Sequence, residues 1–305
     1  MIADCRLSGN LQSAIQEHVM AEKTFTRTVS VPSPAARPRT DWGRWALIGN
    51  AAFCYIFLYV PIAILVLFSF SNSSLSGVWG GFTLDWYVRL FQNERLMEAL
   101  GNSLKVAAAS MVVSTILGTL VSLAMERFRF RGRQSLDVTL YLPIVIPDIV
   151  MAVMLLLFFS TLFQLLNGLL GTSFRQSLIT VVIAHVAFNI SFVAVIVRAS
   201  LKGFDWRLEE AAQDLGANEW NTFWRVTLPL IMPGVLGGAL MAFTLSLDDY
   251  VISFFTNGPG ASTLPIEVFS KIRRSVTPEI NAISTVMLLA SVALVTASQL
   301  LQRRR

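Results

Sequence analysis

Three carboxylates stand inside otherwise apolar stretches of this chain: Asp148, Asp248 and Asp249. A charged group in hydrocarbon is costly and usually faces a cavity, a partner or a mobile cation. No Lys or Arg lies deep in the same stretches to pair with them. The three acids therefore point to an electronegative path suited to a cationic solute. Each also has a structural reading. Asp148 follows Pro143 and Pro147, so it could instead cap a broken helix by taking freed N–H groups. Asp248 and Asp249 could instead lie near the outer interface or meet arginines of a sister subunit. His185 and Asn189, four apart on one helical face, either bond a neighbouring helix or join the path. Bonding within the bundle is the stronger of these two readings. No His/Asp/Glu cluster has metal-ligand spacing, and spacing alone nominates no nucleophile–base pair. No G-x-x-x-x-G-K-[ST] loop is present to cradle a phosphate. Cys5 and Cys54 have neither metal nor redox spacing. The expectation is a chain with no catalytic residue, no metal and no cofactor of its own.

The elements that must carry these acids are membrane spans. The chain is 54% hydrophobic and only 14% charged, against about 25% charged in an average soluble domain. There is too little charge to coat a soluble body of 305 residues, and the mean hydropathy is +0.61. About 20 apolar residues cross the hydrocarbon core. Six stretches qualify: 46–70, 103–125, 138–163, 178–197, 231–255 and 280–301. Backbone groups in lipid must be bonded within the segment, and period-two alternation is absent, so all six read as helices. On a rise of 1.5 Å per residue, Asp148 would sit about 15 Å into the third helix and Asp248 and Asp249 about 25 Å along the fifth. The class is an all-α membrane protein with six transmembrane helices.

Lys and Arg set the orientation. With the N-terminus inside, seventeen of the 24 fall on the cytoplasmic side: six before the first span, Arg127 to Arg133, Arg198 to Arg225, and Arg303 to Arg305. Seven fall outside. Both termini are therefore expected in the cytoplasm, and the net charge of +5 needs no nucleic acid to explain it. Residues 1–45 are polar and carry Pro32, Pro34 and Pro38, so they read as a disordered cytoplasmic tail ahead of a permease domain at 46–305. The tail lacks the apolar core of a signal peptide, and Met20 is an alternative start.

Between the fourth and fifth spans lies a loop of about thirty residues, 199–230. Asp205 is placed to cap a short helix, with Glu209 and Glu210 in its first turns and Gly216 at a left-handed end. Asn218 can cap a second short helix through Val226, which Leu228-Pro229 would stop. The outline is a helix–turn–helix lying along the membrane. It carries too few basic residues for a DNA reader. Glu210-Ala211-Ala212, three residues, Gly216, nine residues, Val226, one residue and Leu228-Pro229 resembles the EAA loop of ABC importer permeases, with Val226 where the family has Ile.

That resemblance implies the type I ABC importer permease fold and a coupling helix that inserts into a partner ATPase. Glu210, Ala211, Ala212, Leu215, Gly216, Leu228 and Pro229 would form the coupling element. ATP and Mg would be bound by an ABC ATPase dimer rather than by this chain. Further partners would be a second, homologous permease, a periplasmic binding protein and the lipid bilayer of the bacterial inner membrane. Pro147-Asp148-Ile149-Val150-Met151-Ala152, Leu201 to Asp205, Ser246 to Asp249 and Pro265 to Ala282 are similar to the second permease of spermidine/putrescine importers. The solute implied is a polyamine. A stand-alone cation carrier would have no use for an ATPase dock, and a membrane enzyme would need a catalytic cluster that the chain lacks.

Overall fold

The computed structural model describes residues 41–73, 77–274 and 278–303. The expected tail lies outside these residues as far as position 40, and positions 41–45 already belong to the first helix. The described chain is helical, apart from one isolated antiparallel bridge between Ser71 and Phe82. In chain order the helices are α1 Asp41–Phe68, α2 Asp85–Gln92, α3 Glu94–Arg127, α4 Arg133–Val145, α5 Asp148–Leu170 and α6 Leu178–Leu201. They continue with α7 Arg207–Asp214, α8 Glu219–Thr222, a π-turn Phe223–Thr227, α9 Leu228–Asp248, α10 Val251–Thr256, α11 Leu264–Arg274 and α12 Pro278–Arg303.

Five segments among the described residues are long and apolar enough to cross a membrane. They are Trp42–Phe68, Glu94–Arg127, Asp148–Leu170, Leu178–Leu201 and Glu219–Asp248. The sixth expected span coincides with α12, a helix of 26 residues whose apolar section is Pro278–Ala293.

Two expected spans are not continuous. The stretch 138–163 breaks between Val145 and Asp148. Ile146 is extended at φ −70°, ψ 131°, as the residue before a proline prefers, and Pro147 brings no N–H to carry the ladder on. Asp148 is therefore in the first turn of α5, not halfway along a span. The stretch 231–255 breaks at Asp249 and Tyr250, after which α10 begins afresh. A third correction concerns Leu228-Pro229, which does not stop the preceding helix. The helical path runs unbroken from Glu219 to Asp248. The π-turn at Phe223–Thr227 opens the ladder where Pro229 has no N–H to give, so the axis continues.

The bundle is built on α3, α6 and α9, which pack most extensively on one another. Helix α3 buries Ser110, Ser114, Gly118 and Ser122 at a spacing of four, which aligns small residues on one face. Small residues let helix backbones approach closely in lipid, where no hydrophobic force drives helices together. The approach is tight: a Cβ on Gly118 would lie 2.7 Å from Val193 Cγ1, and one on Gly234 would lie 2.6 Å from Ser200 Cβ. Ser122 donates to its own Gly118 carbonyl at 2.6 Å and to Ala194 O of α6 at 3.0 Å. Val193, Val197, Leu201, Ile231 and Ala242 form the apolar core beside this seam.

Candidate functional site

The loop between α6 and α9 is held rigid by its own caps. Asp205 Oδ1 accepts from Arg207 N at 3.1 Å just before α7. Gly216 lies at φ +89°, a left-handed conformation costly for residues with a Cβ. Its N–H donates to Gln213 O at 2.8 Å, and Ala217 N–H donates to Ala212 O at 3.0 Å. This pair of bonds is the Schellman arrangement, which satisfies carbonyls left free at a helix end. Asn218 Oδ1 then accepts from Asn221 N at 2.8 Å and starts α8. The caps expected at Gly216 and Asn218 are thus present, whereas the N-cap of α7 is Trp206, and Asp205, one residue earlier, holds the entry turn through Arg207 N.

The loop presents apolar surface to the outside. Leu215 is 90% exposed, and Leu208, Trp220 and Trp224 are exposed as well. Glu210, Ala211 and Gly216 share that exposed character, while Ala212 is half-buried. The tryptophans are braced edge-on, with Trp220 and Trp224 centroids 5.6 Å apart and Phe223 and Trp224 5.5 Å apart. Leu228 is half-buried and Pro229 exposed at the head of α9. A rigid loop with large apolar side chains in the open has the character of a docking surface.

One residue of α7 does the opposite. Glu209 is 5% exposed. Its Oε1 accepts from the buried Thr227 hydroxyl, and its Oε2 lies 3.5 Å from Arg127 Nη1 at the end of α3. Next to Arg127, Glu126 pairs with Arg198 of α6 at 3.0 Å, and Arg198 also pairs with Asp137 of α4. Reading the sequence for its motif passed over Glu209, because its partners lie 18 and 82 positions away; the signal available was a second acid in a short helix near a span ending in Glu126-Arg127.

The three intramembrane acids fare differently. Asp148 is exposed in the first turn of α5 and makes no side-chain cap bond. The helix is broken before it, as the capping alternative expected, but its carboxylate does not take the freed N–H groups. Asp248 ends α9 and is exposed. Asp249 is not unpaired: Oδ2 lies 3.3 Å from Nε2 of the fully buried His185. The same carboxylate caps α10, accepting from Ser253 N at 2.8 Å and Ile252 N at 3.4 Å. His185 Nε2 also lies 3.0 Å from Ser253 Oγ. One turn along, Asn189 Nδ2 donates to Ser246 Oγ at 2.8 Å, and Ser246 bonds Ser110 of α3 at 2.7 Å. The bonding reading of His185 and Asn189 therefore holds, although His185 Nδ1 and Asn189 Oδ1 are buried without a partner. The structure joins Asp249 to His185 and leaves Asp148 and Asp248 exposed.

The described residues form a bundle of membrane-length helices with a capped loop that leaves large apolar side chains exposed. The family of binding-protein-dependent transport system inner membrane components matches residues 97–304, and the chain belongs to it. It is 43% identical over 235 residues to the putrescine transport system permease protein PotI of Escherichia coli strain K12, covering 77% of this chain and 82% of that protein. It is 41% identical over 261 residues to the spermidine/putrescine transport system permease protein PotC of the same strain, covering 86% and 95%. Among solved structures, a bacterial ABC transporter that imports alginate shares the fold, with a TM-score of 0.70 over 87% of this chain and 96% of that one at 19% identity. The chain is a multi-pass inner-membrane permease subunit of an ABC importer, with the type I permease fold, and not an enzyme.

Proposed function

We propose that this permease moves polyamines, putrescine or spermidine, from the periplasm into the cytoplasm by alternating access. The observation that carries the reading is the identity of 41–43% to permeases of putrescine and spermidine/putrescine systems over most of the chain. The excess of Lys and Arg around residues 127–133 and 198–225 supports a cytoplasmic place for the loop 199–230 and for both termini. There Glu210, Ala211, Ala212, Leu215 and Gly216, backed by Leu228 and Pro229, dock one subunit of an ABC ATPase dimer. ATP and Mg are bound by that partner and none by this chain. A second, homologous permease completes the membrane unit, and a periplasmic binding protein delivers the solute. Asp148 and Asp248, exposed on this chain, line the path at the shared interface, with Asp249 set beside Asp248 by its bond to His185. The rocking of the two permeases follows the ATPases as they close and open.

The test is uptake of labelled putrescine and spermidine in cells lacking this gene, with and without its restoration. Restored uptake that excess unlabelled polyamine competes away is the expected result. Labelled molybdate serves as the control solute, because a molybdenum permease of Escherichia coli strain K12 is 32% identical over 177 residues. No polyamine uptake in the restored cells would overturn the assignment.

A further inference from the structure

Seven of the eight residues of α7 are at least partly exposed, and Glu209 alone is buried. A helix this short has little stability by itself, so its position is set by what it is fastened to. Its apolar neighbours, Phe204 and Trp206, precede it and pack on the Val197–Leu201–Ile231 core. Within α7, the fastening is one carboxylate. One oxygen of Glu209 takes the Thr227 hydroxyl, in the turn that leads into α9, and the other faces the Arg127 guanidinium that ends α3. Thr227 is itself 2% exposed. The carboxylate and the Thr227 hydroxyl are both buried, so removing one leaves the other without a partner, while the part-exposed Arg127 loses its counter-charge.

Arg127 does not end the connection. Its neighbour Glu126 is bonded to Arg198 in the last two turns of α6, and Arg198 is bonded to Asp137 of α4. Two sets of charged contacts therefore meet at the end of α3, one through Arg127 to α7 and one through Glu126 to α6 and α4, with Thr227 adding the turn that leads into α9. The outward-facing Glu210 of the family pattern takes no part in it. The two adjacent acids divide their work: one faces away from the body and one faces in.

We propose that Glu209 is a positioning residue that makes α7 move with the adjoining ends of α3 and α9 as one body, so that displacement of the docking loop reaches the membrane helices. This rests on the reading of loop 199–230 as the ATPase dock, but not on which solute is carried. Without the carboxylate, α7 would still present Leu208, Ala211 and Leu215 and still bind its partner. It would then swing on its flanking loops instead of carrying the bundle.

The experiment uses the complete importer with Cys5→Ser and Cys54→Ser, and spin labels at positions 129 and 214, both exposed. The distance between them is measured with and without trapped nucleotide, with Glu209 present and in Glu209→Ala and Glu209→Gln. The expected result is a distance that stays fixed through the cycle with Glu209 present and changes or broadens with nucleotide in Glu209→Ala. Glu209→Gln should behave likewise, because its amide sets N–H donors against Arg127. In parallel, both variants should retain the ATPase at the usual ratio while solute moved per ATP falls at least tenfold. The exchange Glu209→Arg with Arg127→Glu should recover part of that loss. An unchanged distance in both variants, or an unchanged solute-to-ATP ratio, would overturn the proposal. So would loss of the ATPase, since that would make Glu209 part of the dock itself. If the importer with Glu209 intact fails to move polyamine, the solute assignment fails and the distance measurement still decides the role of Glu209.

Discussion

Gly216 offers the cleanest perturbation of the docking loop. A Cβ placed there would meet nothing within 4 Å, so packing is not at issue. The backbone is: at φ +89° an L-residue costs about 1–2 kcal/mol. The alternative for a substituted chain is to leave the left-handed region. It would then give up the bonds from Gly216 N to Gln213 O and from Ala217 N to Ala212 O, and the last turn of α7 would fray. A change of one to two kcal/mol alters that balance by roughly 5–30-fold. In an eight-residue helix, fraying one turn removes Leu215 from its place on the docking face. The packed membrane helices lie elsewhere, so insertion should be unaffected. Asparagine tolerates this conformation better than alanine, and β-branched valine tolerates it least. The expected order is Gly > Asn > Ala > Val, both for ATPase retained on purification and for solute uptake, with constant protein in the membrane. Valine should reduce both by roughly tenfold, within the range set by the backbone cost. Normal uptake with Gly216→Val would refute this reasoning. So would loss of the protein from the membrane in step with the loss of uptake, because the defect would then lie in the fold.

The two neighbouring acids should separate. Asp248→Asn should lower polyamine uptake and leave thermal stability unchanged, whereas Asp249→Asn should also lower stability by about 1.5–3 kcal/mol through the lost bonds to His185 and the start of α10. Paired uptake and unfolding measurements check this, and unchanged uptake in both would end the case for an electronegative path. In the seam, Gly118→Ala should destabilise the bundle by about 1–3 kcal/mol, since its Cβ would sit 2.7 Å from Val193 Cγ1 and 3.1 Å from Ile190 O. Gly101→Ala, in the same helix with nothing within 4 Å, is the control and should not lower the unfolding midpoint of the purified importer.

The spans were legible because lipid selects long apolar runs regardless of what packs on them. Four of the six expected stretches coincide with single helices to within nine residues at either end. The same criterion is blind to continuity. Val138 to Phe163 and Ile231 to Phe255 carry no charge except at the acids and only scattered hydroxyls besides, and the breaks at Ile146-Pro147 and Asp249-Tyr250 leave them apolar on average. Pro147 was the visible sign of the first break. Asp249 was the sign of the second, as an acid followed three and four residues later by N–H groups in need of an acceptor. The loop was legible in its caps, because a left-handed turn and an N-cap each select a residue type. Pro229 misled because a missing N–H can end a helix or be absorbed by a π-turn, and only the three-dimensional ladder tells which. Glu209 was illegible as a buried group, since burial came from Thr227 and Arg127 folding over it.

The two breaks differ in how their polar groups are satisfied, and that difference bears on assembly. Irregular backbone at membrane depth survives only where protein buries it or water reaches it. At Asp249 this chain supplies the remedy itself: the carboxylate caps α10, His185 holds the carboxylate, and Ser253 completes the set. At Ile146-Pro147-Asp148 no such remedy is seen among the described residues, for Pro147 and Asp148 are exposed and the start of α5 has no side-chain cap. Exposed apolar neighbours, Val145, Ile149 and Val150, surround that opening. A charged, unsatisfied helix start flanked by apolar surface suits neither lipid nor bulk water. It suits a second permease laid against it, with the aqueous path between them. On the pairing proposed above, the second permease would cover that opening, and Asp148 would face the space the two subunits share.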